Sequence, residues 1–283
     1  MTEKVCRLEL HFGRLFDQPN LPLVHILVDG EERLADTGRT GRFTGFEPRE
    51  LLDTGAMLPE DPPRRVALYR CQCGEPGCGC VAYVISQSGD RILWSDARDF
   101  VGVFHAPLLD DELESDGRPL GVDGFVFDAE QYLDEVDRAT SDRSWETPAL
   151  LTARVLAARL DAARQVFVDR GDYPGWIVPW WENDREFRAE FVGPSGQIVV
   201  GLSPTASTPD AGADEMAAQL VESSPDQWRV TDRYDWPDDM IQRTIANRSR
   251  EKEGRRIRRE AVSRFQSARR PARSGATVVD PGA

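Results

Sequence analysis

An α+β fold is predicted for this chain, on three observations. Its first half contains short apolar runs that alternate or are continuous, separated by turn-forming residues. Its second half opens with a long helix-spaced stretch followed by three strand-like runs and another helix. Between residues 71 and 80, four cysteines stand in the pattern C-x-C-x4-C-x-C. Periods of two and of 3.6 therefore occur in separate stretches of one chain, as α+β architectures require.

In Arg7-Leu8-Glu9-Leu10-His11-Phe12 the apolar residues alternate, which predicts a strand with one buried face. Leu21 to Val28 is nearly continuous in apolar residues and ends at Asp29-Gly30, so a central strand and a turn are expected. Residues 36–45 are expected to be loop, Pro48 to Leu52 a short helix. Val66 to Arg70, Val81 to Ser86 and Arg91 to Trp94 then form a meander, with a turn at Ser88-Gly89-Asp90. Asp110 to Gly117 is an acidic loop and Phe125-Val126-Phe127 a short strand. Asp128 caps a helix running to Arg138.

Thr147 as N-cap and Pro148 at the first helical position open a helix ending near Arg170-Gly171. Strands are expected at Trp176 to Trp181, Phe187 to Val192 and Gln197 to Leu202, with Gly193-Pro194-Ser195-Gly196 turning the second into the third. A helix from about Ala213 to Val221 completes an α-β-β-β-α order. The expected division is a β-rich domain over 1–143, an α+β domain over 147–237, a basic helix over 238–270 and a disordered tail over 271–283.

Composition narrows the function classes. At 40% hydrophobic residues the chain has enough apolar material to fold, and no apolar run approaches the ~20 residues a membrane helix needs. The N-terminus lacks the basic and apolar regions of a secretion signal, so a cytoplasmic protein is expected. The net charge of −14 hides an asymmetry. Arg243 to Arg273 holds twelve Lys/Arg and three Asp/Glu, a net of +9, leaving −23 on the rest. An acidic body repels phosphates and disfavours nucleic acid. The basic tail, with Arg255, Arg256, Arg258 and Arg259, is expected to fold back on that body or bind an acidic partner. Nucleic-acid binding is its third reading.

The cysteine segment carries the most specific signal. Cys73 and Cys78 flank the turn formers Gly74-Glu75-Pro76-Gly77, with strand-like sequence on either side. In a hairpin Cys73 would face Cys78 and Cys71 would face Cys80, placing all four sulfurs on one side. Zinc bound by Cys71, Cys73, Cys78 and Cys80 is the expected occupant in a reducing cytosol. Such a cage is closed and structural. Cross-strand disulfides suit the geometry but not the compartment. An iron–sulfur cluster suits the ligands, though nothing else points to electron transfer. A glycine-rich turn with small buried thiols needs no metal. Cys6, apart from these, is expected to be a plain buried thiol.

Leu68-Tyr69-Arg70-Cys71-Gln72-Cys73-Gly74-Glu75-Pro76-Gly77-Cys78-Gly79, Ile92-Leu93-Trp94-Ser95-Asp96 and Phe125-Val126-Phe127-Asp128-Ala129-Glu130-Gln131-Tyr132 together resemble a widespread group of uncharacterised bacterial proteins. These share a C-x-C-G-x-x-G-C turn, a W-S-D strand and an F-x-F-D-x-x-Q-Y helix start. The resemblance covers roughly residues 1–140 and implies no activity. Relatives in the group often lack a cysteine matching Cys80, which implies that four ligands are not a requirement of the fold.

Other candidates are weaker. His11 is expected to be solvated, His25 to be a hydrogen-bonded core residue, and His105 to lie in a loop. Gly38 to Gly45 lacks the Lys-Ser/Thr ending of a phosphate loop. Trp94 is expected in the core, with Asp96 and Asp99 as loop caps. Tyr173 to Trp181 packs four aromatics between prolines, so an edge strand is expected. Burial of Trp176 and Trp180 against the helix from Thr147 is expected, while exposed Trp176, Trp180 or Trp181 would make a partner surface.

The functional expectation is a non-catalytic protein-interaction module with a structural zinc hairpin. Its acidic charge would steer a basic protein partner, and an immunity- or antitoxin-like role is one instance. The alternative is an enzyme with a site near His25, Asp96 and His105.

Overall fold

A computed structural model describes residues 4–33, 43–108, 116–181, 183–194 and 196–246. Its first part is a mixed sheet with a two-stranded ribbon over it. Strands β1 (Val5–Cys6), β2 (Leu8–Arg14), β3 (Pro22–Val28) and β4 (Phe43–Gly45) precede the short helix α1 (Pro48–Leu51). The meander β5 (Arg64–Cys71), β6 (Cys80–Ser88) and β7 (Arg91–Phe100) follows, then β8 (Arg118–Pro119), β9 (Phe125–Asp128) and helix α2 (Ala129–Ser141). The large sheet runs β1-β9-β7-β6-β5-β4, with β8 also on β7, and β1 lies parallel to β9.

β2 and β3 pair separately, in the antiparallel register that sets His11 opposite His25. The ribbon meets the large sheet at β4, where Val24 N–H donates to the Phe46 carbonyl at 2.9 Å. A side chain on Gly45 would sit on the Val24 carbonyl, so only glycine permits this approach. Helix α2 closes the other side. Gln131 donates to the Leu8 carbonyl and accepts from Leu8 N–H, and Glu135 accepts from Leu10 N–H. Between these layers lies a core that includes Leu8, Ile26, Leu68, Trp94, Phe127 and Tyr132. The buried Tyr132 hydroxyl accepts from Trp94 Nε1 at 3.1 Å and donates to the Met57 carbonyl at 2.8 Å.

The second part begins with α3 (Pro148–Ala162), capped by Thr147, whose hydroxyl accepts from Leu150 N–H. The predicted single helix to Arg170 is two helices. Ala163 leaves helical geometry at ψ 8°, and α4 (Arg164–Arg170) follows, ending on Gly171 at φ 79°. Strands β10 (Tyr173–Trp180), β11 (Asn183–Gly193) and β12 (Gly196–Leu202), helix α5 (Pro209–Glu222) and a further strand, β13 (Val230–Asp235), complete it. β13 was absent from the sequence expectation because its burial is slight and its sequence is mostly polar.

The sheet order is β10-β11-β12-β13, so the proline-bearing β10 is an edge. Helix α3 packs on β10, β11 and α5. The core there gathers Leu156, Leu160, Phe167, Phe187, Phe191, Met216 and Trp228. Phe12 stacks near Trp145 at 6.3 Å, and Arg49 donates to the Leu150 carbonyl at 3.2 Å. These contacts, with Asn20 bonded to Asp184 and Thr147, join the two parts.

Residues 238–246 are helical. The rest of the expected basic helix, the tail, and Arg255, Arg256, Arg258 and Arg259 lie outside the described residues. So do most of the glycine-rich stretch before Phe43 and most of the acidic loop. No helix among the described residues is long and apolar enough to cross a membrane.

Candidate metal centre

The site is the connection between β5 and β6. Glycine and proline shape it. Gly74 sits at φ 91°, where an L side chain is strained, and its N–H donates to the Cys71 carbonyl at 2.9 Å. Pro76-Gly77-Cys78 forms one 3-10 turn, closed by Gly79 N–H on the Pro76 carbonyl at 3.0 Å. Two neighbours brace it. Gly102 N–H, just past β7, donates to the Gly77 carbonyl at 2.9 Å, and Leu15 packs beside Gly74.

This turn brings the sulfurs of Cys71, Cys73 and Cys78 within 4.8 Å of one another. Two zinc-bound sulfurs with Zn–S of ~2.3 Å in a tetrahedral site lie about 3.8 Å apart, so the trio needs a contraction of roughly 1 Å at most to hold an ion. Cys73 and Cys78 are exposed and Cys71 is half-buried. The Cys73 thiol is held below its ordinary value, first by the Glu75 backbone N–H and then by the Cys71 and Cys78 thiols. Hydrogen bonding with Cys73, and its charge, push Cys78 the other way. One sulfur of the trio is thus predisposed to be the first thiolate, which is the form that binds metal.

Cys80 stands apart. The expected register set Cys71 opposite Cys80. The observed ladder pairs Arg70 with Cys80, while Cys71 N–H donates to the Gly79 carbonyl at 2.8 Å. Side chains alternate along a strand, so this one-residue slip sends Cys80 to the face opposite Cys71. It is fully buried, its S–H donates to the Pro76 carbonyl at 3.2 Å, and burial pushes its thiol up to about 12. Arg70, beside it, lies beneath the hairpin and pairs with Glu50 at 3.3 Å. The described geometry therefore offers three sulfurs where four were expected. The trio can hold a metal ion.

The remaining candidates scatter. His25 is not a core residue. It projects from the outer face of β3, half-exposed, with Nδ1 2.6 Å from Glu32, whose hydrogen bond raises its pKa. His11 is exposed as expected. Asp96 is no loop cap. It lies within β7 at φ 49°, bonded to Arg65 and Arg98, and the Arg98 bond is the main cause of its lowered pKa. His105 is exposed beyond β7. The three residues of the enzyme alternative thus occupy different segments, two of them with partners of their own. Asp99 is buried, and Cys6 is half-exposed rather than buried.

The tryptophans correct another expectation. On β10 the core-facing residues are Ile177 and Pro179, so Trp176, one residue before Ile177, points outward with Val178 and is 43% exposed. Trp180 is half-buried under the Arg188 guanidinium, 4.5 Å from its ring, and Trp181 is 48% exposed. The aromatic that fills the core is Trp228, 4.6 Å from Phe191. Sequence reasoning also passed over Phe16 and Val101. Both are exposed, and each is next in sequence to a residue, Leu15 or Gly102, that only the chain's tertiary path brings to the cysteine turn.

No protein family, curated protein or solved structure matches the chain.

Proposed function

We propose that this is a cytoplasmic, non-catalytic protein-interaction module whose β5–β6 turn binds zinc through Cys71, Cys73 and Cys78. The observation that carries the reading is the convergence of those three sulfurs on an exposed turn with Cys80 turned away. Soft thiolates favour zinc and copper(I) among common cellular metals, and a reducing compartment keeps the thiols free to bind.

Three thiolates on a divalent ion leave the site with a single negative charge. That charge weakens the ion's pull on a bound water relative to a site with neutral ligands. Binding suits it better. The acidic chain, at −14, steers basic partners, and an immunity- or antitoxin-like role belongs to this class. A second reading, an enzyme, has one observation in its favour: catalytic zinc sites also use three protein ligands and an open position.

Zinc analysis of protein purified under reducing conditions tests the reading. About one zinc per chain is expected, and the loss of it in the Cys71→Ser/Cys73→Ser/Cys78→Ser variant. Less than half a zinc per chain in the unmodified protein would overturn it. A metal-bound water titrating near pH 7 would favour the enzyme.

A further inference from the structure

We propose that the cysteine turn is a docking surface for a basic protein segment, whose histidine or cysteine completes the metal's coordination and whose apolar residues cover Phe16 and Val101. The inference rests on the zinc reading and names the kind of partner that site takes.

Coordination supplies the first argument. Zinc takes four ligands, and the turn offers three. Cys80 does not provide the fourth, because it is fully buried on the opposite face with its S–H on the Pro76 carbonyl. Cys73 and Cys78 are both exposed, so a side chain from outside the chain can reach an ion held there.

The surroundings supply the second. Val101 and Phe16, at 66% and 62%, are the two most exposed large apolar side chains among the described residues. Each adjoins in sequence a residue that contacts this turn. Val101 precedes Gly102, whose N–H holds the Gly77 carbonyl, and Phe16 follows Leu15, whose side chain packs beside Gly74. Single exposed apolar residues need no explanation, but the two largest exposures flanking one candidate site do. Phe16 is also held at φ 53° and Asp17 at φ 57°. A bulky residue in left-handed backbone is strained. Leu15 N–H on the Leu21 carbonyl, at 2.8 Å, anchors the loop that carries this strain. The outcome is an aromatic ring displayed to solvent.

Charge chooses the partner. The loaded trio is anionic, Asp17 and Glu75 sit on the same two loops, and the chain carries −14. A basic segment is complementary to this face, and an acidic one is repelled.

The test uses the full chain loaded with cobalt(II) in place of zinc, since cobalt's visible absorption reports its ligands. The probe is a blocked pentapeptide, lysine-leucine-histidine-leucine-lysine. Saturable binding with a change in the cobalt spectrum is expected. Affinity should fall at least tenfold when serine replaces the peptide's histidine, when glutamate replaces its lysines, and in the Phe16→Ser/Val101→Ser protein. That double variant should load cobalt normally. The proposal is overturned if cobalt binds but the peptide leaves the spectrum unchanged. It is equally overturned if Cys80→Ser alters the spectrum, since the chain would then complete its own site. Metal-dependent dimerisation in sedimentation without peptide would make the occupant a second copy and overturn it too. Failure to bind cobalt at all refutes the zinc reading itself, and the docking surface with it.

Discussion

Replacing Tyr132 by Phe removes one oxygen atom from the centre of the first core. The ring keeps its place, 5.4 Å from Phe127 and perpendicular to Trp94 at 6.1 Å, so packing is conserved. Two buried groups lose their partner: Trp94 Nε1, which donates to the hydroxyl, and the Met57 carbonyl, which accepts from it. Trp94 and Met57 are both fully buried, so water does not replace the oxygen without rearrangement. Each orphaned buried group costs about 1–3 kcal/mol, giving roughly 2–6 kcal/mol for the pair. Against a total stability of about 5–15 kcal/mol that is a large loss. Urea unfolding followed by near-UV circular dichroism measures it. With a slope of about 3 kcal/mol per molar urea, the midpoint should fall by roughly 0.7–2 M. Tyr69→Phe is the internal comparison, because its hydroxyl has one partner, the Ile26 carbonyl at 3.2 Å. Roughly half the effect is expected there. A loss below about 0.5 kcal/mol for Tyr132→Phe would refute the reasoning that these orphaned groups dominate.

Three further outcomes are expected. Cys78→Ser should weaken zinc binding by about 3 kcal/mol or more, over 100-fold in Kd, whereas Cys80→Ser should leave it within about threefold; competition with a chromophoric chelator reads both. His25 should titrate above 6.5 by NMR, since Glu32 stabilises its charged form, and move down in Glu32→Gln. The sign follows from a raised folded pKa: the pair's stabilisation is fully present below pH 6.5 and is lost as pH rises through the folded value. Both side chains are over two-fifths exposed, so solvent screening holds the effect to under about 1 kcal/mol. Trp228→Ala should cost about 3–5 kcal/mol and Trp176→Ala less than about 1, as seen in thermal unfolding; equal losses would show that Trp176 is not on an outer face.

Much of the fold was legible because the signals are local. Asp128 and Thr147 accept from the N–H groups three residues on, as N-caps do, and their two helices start where they were expected. Glycine and proline between Cys73 and Cys78 announced a turn. The α+β class followed from the two hydrophobic periods. The break at Ala163 and strand β13 were not legible, because neither has a proline, a strong cap or a marked apolar pattern to announce it.

At the site, residue types and spacing determined by themselves that thiols would gather at one turn. How many gather was decided by tertiary structure. β5 and β6 pair Ala67 with Ala82 but shift register before Tyr69, so Cys80 meets Arg70 instead of a residue on the Cys71 face. One residue of slip exchanges the faces of a strand, and no local preference records which partner a bulge selects. The same holds for the rim. Phe16 and Val101 are 85 positions apart in the chain, and the segments that carry them meet the cysteine turn only because Leu15 packs on Gly74 and Gly102 bonds to Gly77.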